Sequence, residues 1–129
     1  VAGANVVEVD RNEKQRKHMT EQEISPFKAL DFMRDNAENL GRLKGQMVYM
    51  QEKRKTIKAI IMASSSERTE SAKETYAYSH DEYIQHLVEM RDAIAEYETL
   101  RILVSAAEAK IAVWRSLESS ARSEVRSTQ

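Results

Sequence analysis

The sequence predicts an all-α protein: a long antiparallel helical hairpin with coiled-coil-like packing that assembles as a homo-oligomer. Three observations carry this. The 129 residues include only 3 Gly and 1 Pro, too few for a fold built on many tight turns. Charged residues make up 32% and aromatics 6%, the balance of long solvated helices rather than of a compact aromatic core. Apolar residues recur about every 3.5 positions along two long stretches, which is the heptad period.

Residues 1–24 read as a charged N-terminal arm. Val6, Val7 and Val9 suit a short extended piece, and Thr20 with Glu23 suits the cap of a helical turn. Ser25-Pro26 marks the first firm helix start. The Ser hydroxyl can accept an orphan backbone N–H, and the missing Pro N–H costs nothing in a first turn. The first helix is expected over 26–63. Its stripe runs Met33, Ala37, Leu40, Leu43, Met47, Met50, Ile57 and Ile61, with Arg54 as its charged member. Gly41 and Gly45 share a face, which either permits close backbone approach or is merely tolerated.

Ser64 to Ser66 form the expected linker. Ser64 with Glu67, or Ser66 with Glu70, matches the capping-box pattern for the next helix. That helix is expected over 67–122, with a break near Tyr78 to Asp81 left open because Ser79, His80 and Asp81 favour caps. Its stripe is Tyr83, Leu87, Met90, Ile94, Tyr97, Leu100, Val104, Ala107, Ile111 and Trp114. Residues 123–129 read as a tail. A short linker between long helices turns the chain back on itself. Pairing outward from the linker then sets Met33 opposite Tyr97 to Leu100. The stripe from Leu100 through Val104 and Ile111 to Trp114 is left over, so these residues are the expected oligomer interface.

Net charge is -1, so any anionic partner must be met by a local patch. The absence of cysteine excludes disulfides and thiolate metal sites. No apolar run suits a membrane span and no signal-peptide pattern opens the chain, so the expected location is cytoplasmic, the host cytoplasm if a phage encodes it. His18, His80 and His86 read as solvated surface. The latter two, six apart, do not share a helical face, and no cofactor or metal is expected. No phosphate-loop, dinucleotide or nucleophile-elbow motif is present, and Glu96 and Glu98 point to different sides of a helix. A non-enzyme is therefore expected.

The charge pattern is the strongest functional signal. Arg42, Lys44, Lys53, Arg54, Lys55 and Lys58, opposed by Glu52, give a local balance of +5. Residues 67–98 hold nine acids against three bases, a balance of -6. Either the basic segment binds nucleic-acid phosphates, or it lies against the acidic segment and helps fix the register. Tyr76 and Tyr78 could stack on bases or pack in the core. At the C-terminus, Trp114, Arg115, Arg122 and Arg126 suit either a single-strand groove or a buried Trp with a solvated tail.

The segment from Gln46 through Lys53-Arg54-Lys55 and Lys58-Ala59 to Ser64-Ser65 resembles the basic helix of the phage UvsY-type recombination mediators. Residues 81–122, ending in Ile111-Ala-Val-Trp-Arg-Ser-Leu-Glu-Ser119, resemble that family's second helical region. The resemblance spans about residues 40–122, while the N-terminal arm and the C-terminal tail have no counterpart. It implies a ring-forming oligomer that binds single-stranded DNA through Lys53, Arg54, Lys55 and Lys58. It also implies contact with a recombinase and a single-strand-binding protein. The competing expectation is a helical protein-binding module, such as an inhibitor of a host system or an assembly adaptor.

Overall fold

The computed structural model describes Asp10, Arg11 and residues 25–129; Asp10 and Arg11 are helical. The expectations for Val6, Val7, Val9, the Thr20–Glu23 cap and His18 lie outside the described residues. Among the described residues the chain is all-helical and has no strand. Within residues 25–129 the helices are α1 (Pro26–Ser64), α2 (Glu70–Ser79) and α3 (Asp81–Ser127).

Ser25 starts α1 as expected. Its hydroxyl accepts the Lys28 N–H at 3.4 Å, and its carbonyl accepts the Ala29 N–H at 3.2 Å. At the other end the Ser64 hydroxyl donates back to the Ile61 carbonyl at 2.8 Å, so Ser64 closes α1 instead of opening the linker. The connection is residues 65–69. Neither expected capping box forms. Ser65 accepts the Glu67 N–H within a turn, and Thr69 caps α2 by accepting the Ala72 N–H at 3.1 Å.

The expected single helix over 67–122 is two helices. His80 adopts φ -74° and ψ 137°, an extended conformation that ends α2 and starts α3. The local chemistry favours this. Ser79 donates to the Thr75 and Tyr76 carbonyls, which saturates the last turn of α2. The His80 ring Nδ1 accepts the Glu82 N–H at 3.2 Å, and the His80 carbonyl accepts the Ile84 N–H at 3.1 Å. His80 thus acts as the N-cap of α3, with Asp81 and Glu82 in the first turn where the helix dipole favours acids. The expected tail over 123–129 is helical as far as Ser127.

The chain divides into two compact units: Val1–Asp35 with Leu103–Gln129, and Asn36–Ile102. In the second unit the core cluster is Ile57, Ile61, Ala77 and Tyr83, with Met62 and Leu87 packed against it. The short helix α2 closes this end, and its Ala77 is fully buried. Cross-contacts step in opposite directions along the chain: Lys58 reaches Glu74, and Met50 reaches His86. Stepping seven back along α1 and seven on along α3 sets Leu43 level with Ala93, both buried. In the first unit Ala29 and Phe32 share a groove with Leu103 and Ala107. The register therefore differs by about one turn from the one expected for Met33. The five-residue connection and the extra helix α2 use chain that the sequence reading assigned to the facing helix.

Burial repeats every seven residues on each long helix. On α3, His86, Ala93, Leu100 and Ala107 are buried. On α1, Ala29, Leu43 and Ile57 are buried and Met50 is half-buried. The interleaved positions Leu40, Met47, Met90 and Tyr97 are half-buried, whereas Arg54, the charged member of the α1 stripe, is exposed.

Gly41 and Gly45 do not serve a close approach. A Cβ added at either meets nothing within 4 Å, and neither has a positive φ. Each glycine therefore only raises the entropy of the unfolded chain. Gly41→Ala and Gly45→Ala are expected to stabilise the fold by about 0.5–1 kcal/mol each, read as higher midpoints in urea denaturation. Destabilisation by either would show a contact at that face.

Candidate functional site

The four basic residues expected to bind phosphates do not form one face. At about 100° per residue, Lys53, Arg54, Lys55 and Lys58 fan out over roughly half the circumference of α1. Most already have a local partner. Lys55 pairs with Glu52 at 3.1 Å, one turn away. The Lys53 ammonium lies 5.8 Å from the ring centroid of Tyr49. Arg54 makes no ion pair among the described residues.

Lys58 is the most engaged of the four. Its ammonium bonds Glu74 at 3.3 Å and sits 4.7 Å from the ring centroid of Tyr78. Tyr78 in turn meets buried Tyr83 edge-on at 5.3 Å. Polar contact with Tyr78 first, and with Glu74 second, holds the Lys58 pKa above lysine's ordinary value. A raised cation pKa contributes stability that is present below that ordinary value and is lost as pH rises through the raised one. The stability gap between the parent and Lys58→Met is therefore expected to be small near neutrality and to close in strongly alkaline buffer. A gap that widened with rising pH would contradict this. Lys58–Glu74 joins the basic segment to the acidic one, as the register-fixing alternative requires.

The expected oligomer residues divide. Leu100 is buried within its own unit. Val104, Ile111 and Trp114 are half-buried. None of the four presents an open apolar surface of the kind the leftover stripe implied.

His86 was expected at the surface and is 2% exposed. Its Nε2 lies 2.6 Å from the Met50 carbonyl oxygen, 36 residues away in sequence. A carbonyl oxygen only accepts, so the hydrogen sits on Nε2, which donates to it and is thereby satisfied. Tyr76 and Tyr78 are both largely exposed, and Tyr76 meets the His80 ring edge-on at 5.7 Å. No group of three or more His, Cys, Asp or Glu among the described residues is placed to hold a metal ion. No helix among them is long and apolar enough to cross a membrane.

Two surface features remain. One is a groove of about 240 Å³ in the first unit, lined by Ala29, Phe32, Leu103 and Ala107 with Lys28 and Lys110. It is smaller than most ligand pockets and carries no acid–base pair. The other is a row on α3 that the sequence reading did not isolate. Ile84, Val88, Ile102, Val113 and Leu117 are between 37% and 58% exposed. Ala95, Thr99 and Ala106 lie between them and are also exposed. At helical spacing Ile84, Val88, Ala95, Thr99 and Ile102 of the second unit fall within a sector of about 60°, well away from buried His86, Ala93 and Leu100, and in the first unit Ala106, Val113 and Leu117 fall within a sector of about 40°, away from buried Ala107. The signal was available: this row keeps the 3.6-residue period of a straight helix, while the seam keeps the shorter heptad period.

Family models, curated proteins and solved structures were each compared with the chain, and none matches.

Proposed function

We propose that the chain is a non-enzymatic helical interaction module, an assembly adaptor or scaffold that acts by docking helix faces onto protein partners. In this reading α1 and α3 form a long antiparallel hairpin with a coiled-coil-like seam, and the outer faces are left for partners. The observation that carries it is the exposed row on α3. In the second unit Ile84, Val88 and Ile102 share one face of α3, and in the first unit Val113 and Leu117 share one, the kind of anchors by which helices dock into grooves. Scattered apolar residues would need no explanation, whereas a row at constant helical phase does.

A second reading is favoured by one observation. Tyr49 is 59% exposed beside Lys53, which pairs a stacking surface with a cation. This fits an oligomeric single-stranded-DNA-binding accessory factor of phage recombination, the role the UvsY-type resemblance implies. A recombinase or single-strand-binding protein would then be a further partner. The local pairing of Lys55 and Lys58 weighs against it, because each engaged cation must give up a partner before it releases counterions from DNA.

Fluorescence anisotropy with a labelled single-stranded oligonucleotide over a salt series separates the two. The interaction-module reading expects no binding at physiological salt, and no change when Lys53 and Arg54 become Ala. Tight binding that weakens steeply with salt and is lost in that double variant would contradict it and select the DNA-binding reading.

A further inference from the structure

On the reading of the chain as a protein-docking module, we propose that the first unit holds a docking groove for an acidic amphipathic helix of a partner protein, one whose carboxylate meets Lys28 and Lys110.

The groove is apolar between two cations. Ala29 and Phe32 of α1 and Leu103 and Ala107 of α3 line it, with exposed Lys28 on one helix and exposed Lys110 on the other. All of these residues belong to the first unit. The apolar lining does not stop at the groove. Leu103, Ala106, Lys110, Val113 and Leu117 follow one another at steps of three, four, three and four residues, and fall within a sector of about 80° on α3. Leu103, Val113 and Leu117 are each about half exposed, and Ala106 is exposed. From Leu103 to Leu117 the strip is about 21 Å long. A small molecule filling the 240 Å³ of the groove would leave Val113 and Leu117 in water, one and two turns beyond Lys110. A helix of about four turns covers the whole strip, with anchors at the same spacing.

Charge fixes the chemistry of that helix. Lys110 is the central member of the strip, with apolar residues on both sides, and Lys28 lines the same groove from α1. Neither lysine makes an ion pair among the described residues. Asp31, one turn from Lys28, pairs instead with Arg34 at 3.3 Å. Glu108, the one acid of α3 between Leu103 and Leu117, lies on the opposite side of the helix. An apolar helix laid here would strip water from two cations and leave them unpaired, which is costly. A helix with Asp or Glu at the turn opposite Lys110 gives both a partner. Nucleic acid fits less well, because its phosphates would meet the lysines while the apolar strip on either side stayed unfilled.

Three amidated helical peptides of about 18 residues serve as probes for the full chain. Each carries inward positions at the spacing of the strip, with Leu on either side and Glu, Leu or Lys at the centre. The central residue comes level with Lys110 whichever way the peptide runs. Trp114 is the chain's single tryptophan and lies one turn from Lys110, so its emission reports covering of the strip. The Glu peptide should bind one to one and shift that emission to shorter wavelength. The Leu and Lys peptides should bind about tenfold more weakly or worse. Lys110→Glu should reverse the order of the Glu and Lys peptides, and Lys28→Met should weaken the Glu peptide by about threefold. Both lysines are exposed, so neither change should alter the helical circular dichroism.

Equal binding of the Leu and Glu peptides would show a face without charge preference and overturn the proposal. So would a Trp114 emission that none of the three moves at about 0.1 mM. Dodecanoate that bound more tightly than the Glu peptide, and did so through Lys110, would mark a site for a small amphiphile and overturn it too. A mass of twice 14.8 kDa that Leu117→Asp halves would overturn it by marking the strip as a contact between copies. A chain that binds none of the peptides while Ile84 and Val88 are shielded in cells would overturn this site and leave the docking-module reading in place.

Discussion

Ile61→Ala is expected to lower stability by about 3 kcal/mol, while Ile60→Ala changes it by no more than about 0.5 kcal/mol. The two residues are adjacent and chemically identical, and burial separates them. Ile61 is 2% exposed in the cluster with Ile57, Ala77 and Tyr83, and Ile60, about 100° round the helix, is 60% exposed. Truncation at position 61 removes three carbons from a site closed by α2, and the surroundings can collapse only partly. Both the transfer loss and the cavity loss apply there. For a chain of this size the expected fall in Tm is about 10 °C, read by circular dichroism. Equal effects at the two positions would mean that α2 does not close over α1.

The second large effect is at His86. Replacement by Ala is expected to cost about 2–3 kcal/mol in urea denaturation, and replacement by Leu about 1 kcal/mol less. Ala loses the packing of a buried ring as well as its hydrogen bond to the Met50 carbonyl. Leu refills much of the volume, and the Met50 carbonyl still lies within an α-helical ladder that can satisfy it. If Leu proved as costly as Ala, the hydrogen bond rather than the packing would dominate. The packing term is expected to win because a typical intramolecular hydrogen bond contributes only about 1 kcal/mol net.

The all-helical class was legible because it depends on composition and period, both of which are local properties. Ser25-Pro26 located the start of α1 for the same reason: a cap acts on the turn that follows it. His80 was legible only as an option, since the break needs its ring to accept the Glu82 N–H, and sequence does not specify a rotamer. His86 was misread because a polar residue at a seam position looks like a surface residue until its partner is known, and that partner is a backbone carbonyl 36 residues away. Gly41 and Gly45 suggested an approaching backbone that is not there.

The candidate site was less legible than the fold. Lys53, Arg54, Lys55 and Lys58 stand out as a run, but what each does depends on where its long side chain goes. Two of them go to Glu52 and Glu74. The leftover stripe was assigned to Leu100, Val104, Ile111 and Trp114 because the expected register was about one turn short. In the structure Leu100 is buried within its own unit, and the large apolar side chains exposed on α3 include Ile84 and Val88 instead.

The most direct measurement of the central claim is hydroxyl-radical footprinting of the full chain in intact cells, compared with the dilute purified protein. The account predicts that Ile84, Val88, Ile102, Val113 and Leu117 are protected together in the cell, while Ile60, exposed on α1, reacts equally in both. Equal reactivity of the α3 row in both conditions would show that no partner covers that face, and would contradict the account.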